Sequence, residues 1–158
     1  MDETPMPPAG TPVRLRSLPT WLLNHLAIEA TRVVGDRLGH PSLRSDYAVL
    51  ATLEEGGPAS QATLGRRLGK DRSDVAGILD RLERDGFVLR APDPANRRRN
   101  AITLTPSGAQ ELARLHVQIE QAQDALLAPL TPGQRAELTT LLQTLTEHHR
   151  AIRRAGQA

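Results

Sequence analysis

The run DPANRRRNAITLTP, residues 93–106, sets three consecutive arginines among turn-forming residues and follows them with alternating apolar positions. Like charges packed together repel, so Arg97, Arg98 and Arg99 are either a solvated loop or a site for something anionic that offsets the repulsion. A second polar set lies upstream: Gln61, Lys70, Arg72, Ser73, Asp74, Gly77 and Arg81. Arg72 and Arg81 are long enough to reach bases or phosphates, and Lys70 and Gln61 suit phosphate contacts. Other chemistries find no support. The chain shows no nucleophile beside its base, no phosphate-cradling Gly loop and no paired acids within one element, so no enzyme and no cofactor are expected. His148 and His149 are adjacent, which points them about 100° apart on a helix and prevents chelation as an i, i+4 pair. His25, His40 and His116 are isolated and there is no cysteine, so no metal site, disulfide framework or thiol redox centre is expected.

Charge is unevenly distributed. The net charge is +2, yet residues 66–99 hold ten Lys or Arg against six Asp or Glu. Nineteen of the twenty cations are Arg, which a GC-rich genome could explain as well as phosphate recognition, so arginine position carries the argument and abundance does not. At 158 residues the chain is long enough for one domain with a real core. Its only aromatics are Trp21, Tyr47 and Phe87, so that core must come from Leu, Ala, Val and Ile, which favours closely packed helices. The Pro-rich start lacks the apolar stretch of a signal peptide, and no later stretch approaches the roughly 18 apolar residues of a membrane span. A soluble, cytoplasmic protein with a disordered tail over 1–17 is expected.

Helical periodicity predicts the elements that position these residues. In LPTWLLNHLAIEATRVVGDRLG, residues 18–39, apolar positions from Leu22 to Leu38 recur at helical spacing, with Pro19 in the first turn and Gly39 and Pro41 ending the helix. A second helix begins at Leu43, turns Tyr47, Leu50, Ala51 and Leu53 inward, and stops at Gly56-Gly57-Pro58. A short third helix follows Ser60 as N-cap and places Leu64 and Leu68 one turn apart. After a tight turn, Asp71 reads as N-cap of a fourth, with Asp74 as a carboxylate variant of the capping box, Val75, Ile78, Leu79 and Leu82 inward, and Gly86 as C-cap. Period-2 alternation then marks FVLR (87–90) and AITL (101–104) as short strands joined by a long basic tip. Thr105-Pro106 opens a fifth helix through Leu112, Leu115, Ile119 and Leu126. Thr131 to Gln134 forms a full capping box for a sixth, which carries Leu138, Leu141, Leu142 and Leu145.

Two helices joined around LGKD with a β-hairpin directly after the second describe a winged helix-turn-helix. The fourth helix fits a major groove, where base edges are distinguishable, and an Arg-tipped hairpin can reach the adjacent minor groove. The fold class expected is mainly α with a small β-hairpin wing. Residues 71–108 also resemble the recognition helix and wing of MarR-type transcriptional regulators: Leu82-Glu83-x-x-Gly86, then Asp93-Pro94-Ala95-Asn96-Arg97-Arg98, then Leu104-Thr105-x-x-Gly108. Asn96 stands where the wing pattern has Asp; it can still turn the chain but cannot pair ionically with an arginine. The resemblance covers residues 18–153. It implies one domain in which a winged helix-turn-helix, 43–105, is flanked by dimerisation helices over 18–40 and 106–153. It further implies a homodimer bound to an inverted-repeat operator, with repression as the family default. Long amphipathic helices at both ends agree, carrying more Leu than one such unit can cover; an intramolecular bundle is the alternative.

Ser73, Asp74 and Gly77 are expected on the exposed face near the amino end of the reading helix, although Asp74 could equally serve as a cap for the helix dipole. Arg84 and Arg90 read as surface charges. The urate-responsive branch of the family combines a Trp on the first helix, an Asp early in the reading helix and an Arg in the wing, which Trp21, Asp74 and Arg99 resemble by position. His25 stands one turn after Trp21 where that branch has Arg, and Val34 fills part of the later face. What this implies is a small anionic or aromatic effector at Trp21, His25, Asp74 and Arg99; the alternative is that Trp21 only packs at the dimer interface. The rival from another class is a helical dimerisation or interaction module whose basic wing binds an acidic protein.

Overall fold

The computed structural model describes residues 12–40, 42–93 and 96–156, and for 93 and 96–99 the backbone alone. Val13–Arg16 forms a single helical turn, α1, in which the Leu15 N–H donates to the Pro12 carbonyl at 2.9 Å. This corrects the expected tail at its end: no Gly or Pro interrupts 13–16, and Pro12 supplies the first acceptor. The rest of that tail, 1–11, lies outside the described residues. Helix α2 spans Pro19–Leu38 and buries Val34 and Leu38. Proline at its first position gives up an N–H that has no partner there, and Gly39, at φ 75°, ends it with an N–H to the Gly35 carbonyl.

Helix α3, Leu43–Gly56, buries Val49, Leu50 and Leu53 together with the carboxylate of Asp46. The expected face is thereby rotated: Tyr47 and Ala51 are half-buried, and Val49 and Asp46 point inward. Helix α4, Gln61–Leu68, starts where Ser60 Oγ accepts the Thr63 N–H at 3.2 Å. Helix α5, Arg72–Arg84, buries Val75, Ile78, Leu79 and Leu82 as the periodicity requires. Asp71 holds the N-cap position, but its side chain makes no capping bond, so the expected capping box with Asp74 is absent. At the other end the Phe87 N–H reaches back to the Leu82 carbonyl and the Gly86 N–H to that of Glu83, a Schellman closure that needs φ 75° at Gly86.

Strands β1 (Val88–Asp93) and β2 (Asn96–Leu104) pair antiparallel, with Val88 opposite Leu104 and Arg90 opposite Ile102. Ile102 also exchanges two backbone hydrogen bonds with Ala59, which fixes the hairpin base to the approach to α4. Thr105 opens α6 (Pro106–Leu126): its Oγ1 donates to the Gly86 carbonyl at 2.7 Å and accepts the Gly108 N–H at 2.9 Å. Helix α7 covers Pro132–Ala155 behind the full Thr131–Gln134 capping box. The chain divides into two compact units, Met1–Ala122 and Gln123–Ala158, with the boundary inside α6. The core of the first runs from Val34 through the reading helix to Leu112, Leu115 and Ala122. No described helix is long and apolar enough to cross a membrane.

Candidate nucleic-acid interface

With four apolar residues of α5 turned inward, helical geometry sends Arg72, Ser73, Asp74 and Gly77 outward, and all four are exposed. Gly77 leaves the backbone bare there, since a Cβ at that position would meet nothing within 4 Å. Ahead of α5, Gly69 turns the chain at φ 63° and the Lys70 N–H closes the turn on the Gly65 carbonyl at 3.0 Å. Gln61 Nε2 donates to the Arg72 carbonyl at 3.0 Å and so ties the start of α4 to the start of α5. Ser60, Gln61, Lys70, Arg72, Arg90 and Asn100 line an open groove of about 790 Å³ between this turn and the base of the hairpin. It is a mainly cationic concavity that faces solvent beside the exposed end of a helix, which suits it to an anionic backbone.

The hairpin differs from the expected pair of short strands with a long loop. β1 runs on to Asp93 and β2 starts at Asn96, so the backbone of Arg97, Arg98 and Arg99 belongs to a strand. Register shifts between Pro92, opposite Asn100, and Asp93, opposite Asn96, which puts the irregularity across the arginines. A bulge of this kind bends and twists a strand. Pro92 is tolerated because β1 is the outer strand, with only one neighbour. The side chains of Arg97, Arg98 and Arg99 lie outside the described residues.

Two arginines have partners that sequence reasoning missed. Arg90, expected as a surface charge, is half-buried; its guanidinium donates to Glu83 Oε2 at 2.7 Å and to Asp80 Oδ1 at 2.6 Å. It therefore clamps β1 to α5, and the hydrogen bond to Asp80, helped by the charge of Glu83, raises its pKa. Arg81, expected to reach DNA from the flank of the helix, has its guanidinium on the carboxylate of Asp46, with Nε 3.2 Å from Oδ2 and Nη2 on Oδ1. That hydrogen bonding raises its pKa against the opposing effect of burial. The pattern of Asp80, Glu83 and Arg90 could have suggested the clamp, since the Schellman turn brings the strand back along the last turns of α5. Arg84 is exposed.

On α2, Trp21 and His25 stack at 5.0 Å between ring centroids and 8° between planes, both half-buried. One helical turn separates them, so the stack follows from spacing. Asp74 is exposed in the first turn of α5. A second hollow of about 900 Å³ lies between α2, α3 and the turn before α5, with Arg32, Arg44 and Lys70 in its lining; neither hollow is lined by Trp21, His25 or Asp74. His148 and His149 meet edge to face at 5.2 Å.

Known proteins share this arrangement. The model of the MarR family matches residues 44–99, the reading unit from α3 into the hairpin. The HTH-type transcriptional repressor NicR of Pseudomonas putida is 32% identical over 108 residues, which cover 68% of each chain. Among solved structures, a probable transcriptional regulator from Pseudomonas aeruginosa superposes with a TM-score of 0.76 at 28% identity, covering 84% of this chain and 99% of its own. The PcaV transcriptional regulator of Streptomyces coelicolor, solved with its natural ligand, gives 0.75 at 29% identity over 86% of this chain and 96% of its own. Relatives and fold agree that this winged helix-turn-helix is a DNA-binding transcriptional regulator, not an enzyme, and that the chain belongs to the MarR family.

Proposed function

We propose that the chain binds an inverted-repeat operator as a homodimer, represses transcription from it, and leaves it when a small anionic or aromatic effector binds. The carrying observation is the exposed amino end of α5, with Ser73, Asp74 and Gly77 directed away from the core beside a cationic groove. Placed in a major groove, those residues face base edges, while Gln61, Lys70 and Arg72 lie where flanking phosphates run. Arg97, Arg98 and Arg99 belong to the hairpin and take the adjacent minor groove, whose narrow form concentrates negative potential. Arg81 supports the helix from behind. Repression and effector release draw support from NicR, a repressor by name, and from PcaV with its natural ligand. Trp21 and His25 supply a planar aromatic surface against which an effector can stack, with Asp74 and Arg99 as the polar partners.

Selection from a randomised duplex library on the immobilised full chain tests this reading. An inverted repeat with half-sites about one helical turn apart should emerge. It should bind about a thousandfold more tightly than a scrambled duplex at the same salt. Equal affinity for both duplexes would overturn sequence-specific recognition and favour the rival in which the basic wing binds an acidic protein.

A further inference from the structure

Asp46 is the one charged side chain buried among the described residues, at 4% exposure. It lies in the first turn of α3, and its two carboxylate oxygens both face the guanidinium of Arg81 on α5. Arg81 points inward from the same helix that presents Ser73, Asp74 and Gly77 outward. The apolar contacts of Val75, Ile78, Leu79 and Leu82 hold α5 against the core, but hydrophobic contact is non-directional and tolerates small rotations. A two-pronged guanidinium–carboxylate pair is directional: it fixes a plane as well as a distance. α3 is in turn tied to α2, since Arg44 Nη1 donates to Thr31 Oγ1 at 2.9 Å. A connected series of contacts thus runs from α2 through α3 to α5. Burying a carboxylate costs free energy that its partner only partly offsets, so such a pair is better explained by the geometry it specifies than by the stability it adds.

We infer that Asp46 is a positioning residue for operator reading: through Arg81 it sets the roll of α5 about its axis, and so which base edges Ser73, Asp74 and Gly77 meet. The inference rests on the operator-binding reading above. Its test uses the full chain with Asp46→Asn and Arg81→Lys, and measures affinity for the selected operator and for a scrambled duplex, the salt dependence of each, and the unfolding midpoint. Asparagine nearly preserves the volume of Asp46 and removes its charge, while lysine preserves the charge of Arg81 and removes the fork. Each variant should lose about tenfold or more in operator affinity, the scale of one or two misread base pairs. Scrambled-duplex affinity and the salt slope should stay unchanged.

A direct phosphate contact by Arg81 gives another pattern. Asp46→Asn would then free the guanidinium and hold or tighten binding to both duplexes, and Arg81→Gln would flatten both salt slopes by about 0.9. That result overturns the inference, as does a lowered unfolding midpoint with an unchanged operator-to-scrambled ratio measured well below the transition. Should Asp46→Asn fail to fold, Arg81→Lys carries the same comparison. An unmodified chain without operator preference would remove the operator-binding reading itself, and the inference with it; preference retained in both variants removes the inference alone.

Discussion

A Cβ added to Gly108 would run into the Phe87 carbonyl oxygen and stand 2.8 Å from Leu104 Cδ1. The first turn of α6 crosses the chain at this point, held there by Thr105 Oγ1, and a backbone oxygen cannot move aside as a flexible side chain can. Gly108→Ala should therefore destabilise the fold by about 1–3 kcal/mol, read as a lower urea midpoint. A midpoint equal to that of the unmodified chain would show that the crossing is looser than this. Gly77 makes the opposite case, because a Cβ there meets nothing and an alanine is the better helix former by about 1 kcal/mol. If that bare backbone faces a major groove, Gly77→Ala should raise the melting temperature and weaken operator binding together; operator affinity that is unchanged would remove Gly77 from the contact surface. Helical spacing already placed Gly77 on an exposed face, but nothing local explained Gly108, since a close approach depends on elements brought together by the fold. Asp46 was illegible for a related reason. An acid in the first turn of a helix reads as a complement to the helix dipole, and its partner lies 35 residues away.

At the scale of elements, order and type were legible because each helix carries its own apolar stripe and most carry their own stops. Ser60, the Gly86 turn and the Thr131–Gln134 box lie where side-chain chemistry predicts them. The wing was less legible. Pro92, Asp93 and Asn96 are turn formers by type, yet they lie in strands, because β2 is pinned at Ile102 by Ala59 and the pairing continues outward from that anchor past residues that individually disfavour it. The backbone of the arginines therefore follows a strand and a bulge rather than a free loop. Replacing Arg97, Arg98 and Arg99 together by Ala should weaken operator binding and leave the helical circular dichroism intact, because the hairpin end contributes nothing to the described core. With three phosphate contacts removed, the slope of log K against log salt should become shallower by up to about 2.7. An unchanged slope and affinity would remove the wing from the DNA interface.

For the whole molecule, the decisive feature is apolar surface that the chain leaves open. Leu22, Leu23 and Leu26 on α2 are each 41–45% exposed, and on α7 Leu141, Leu145 and Ile152 are 48–56% exposed. Together with Leu138, the α7 residues recur at steps of three, four and seven, the seam of a helix that packs against another. A second copy is the partner that the family suggests. The unmodified chain should elute as a dimer at micromolar concentration, and Leu141→Asp with Leu145→Asp should dissociate or unfold it by placing charges in that seam. A monomer from the unmodified chain would contradict the assembly. In the proposed assembly an effector would gain leverage from the division of the chain, because Trp21 and His25 belong to α2, whereas Asp74 and Arg99 belong to the reading helix and wing. Under that proposal, a ligand that bridged the two groups would couple dimer geometry to half-site spacing and compete with DNA for Arg99. By linkage, the factor by which such a ligand weakens operator binding is the factor by which operator weakens the ligand. Trp21 is the only tryptophan, and its ring already stacks on His25, so a planar aromatic acid that displaces or extends that stack should change its fluorescence unambiguously. Titrating a panel of aromatic and anionic metabolites should identify compounds that quench Trp21 and release operator over the same concentration range. His25→Ala and Asp74→Asn should shift both curves to higher concentration, and Trp21→Phe should shift the release curve. Compounds that release operator equally well from all three variants would place the effector pocket elsewhere.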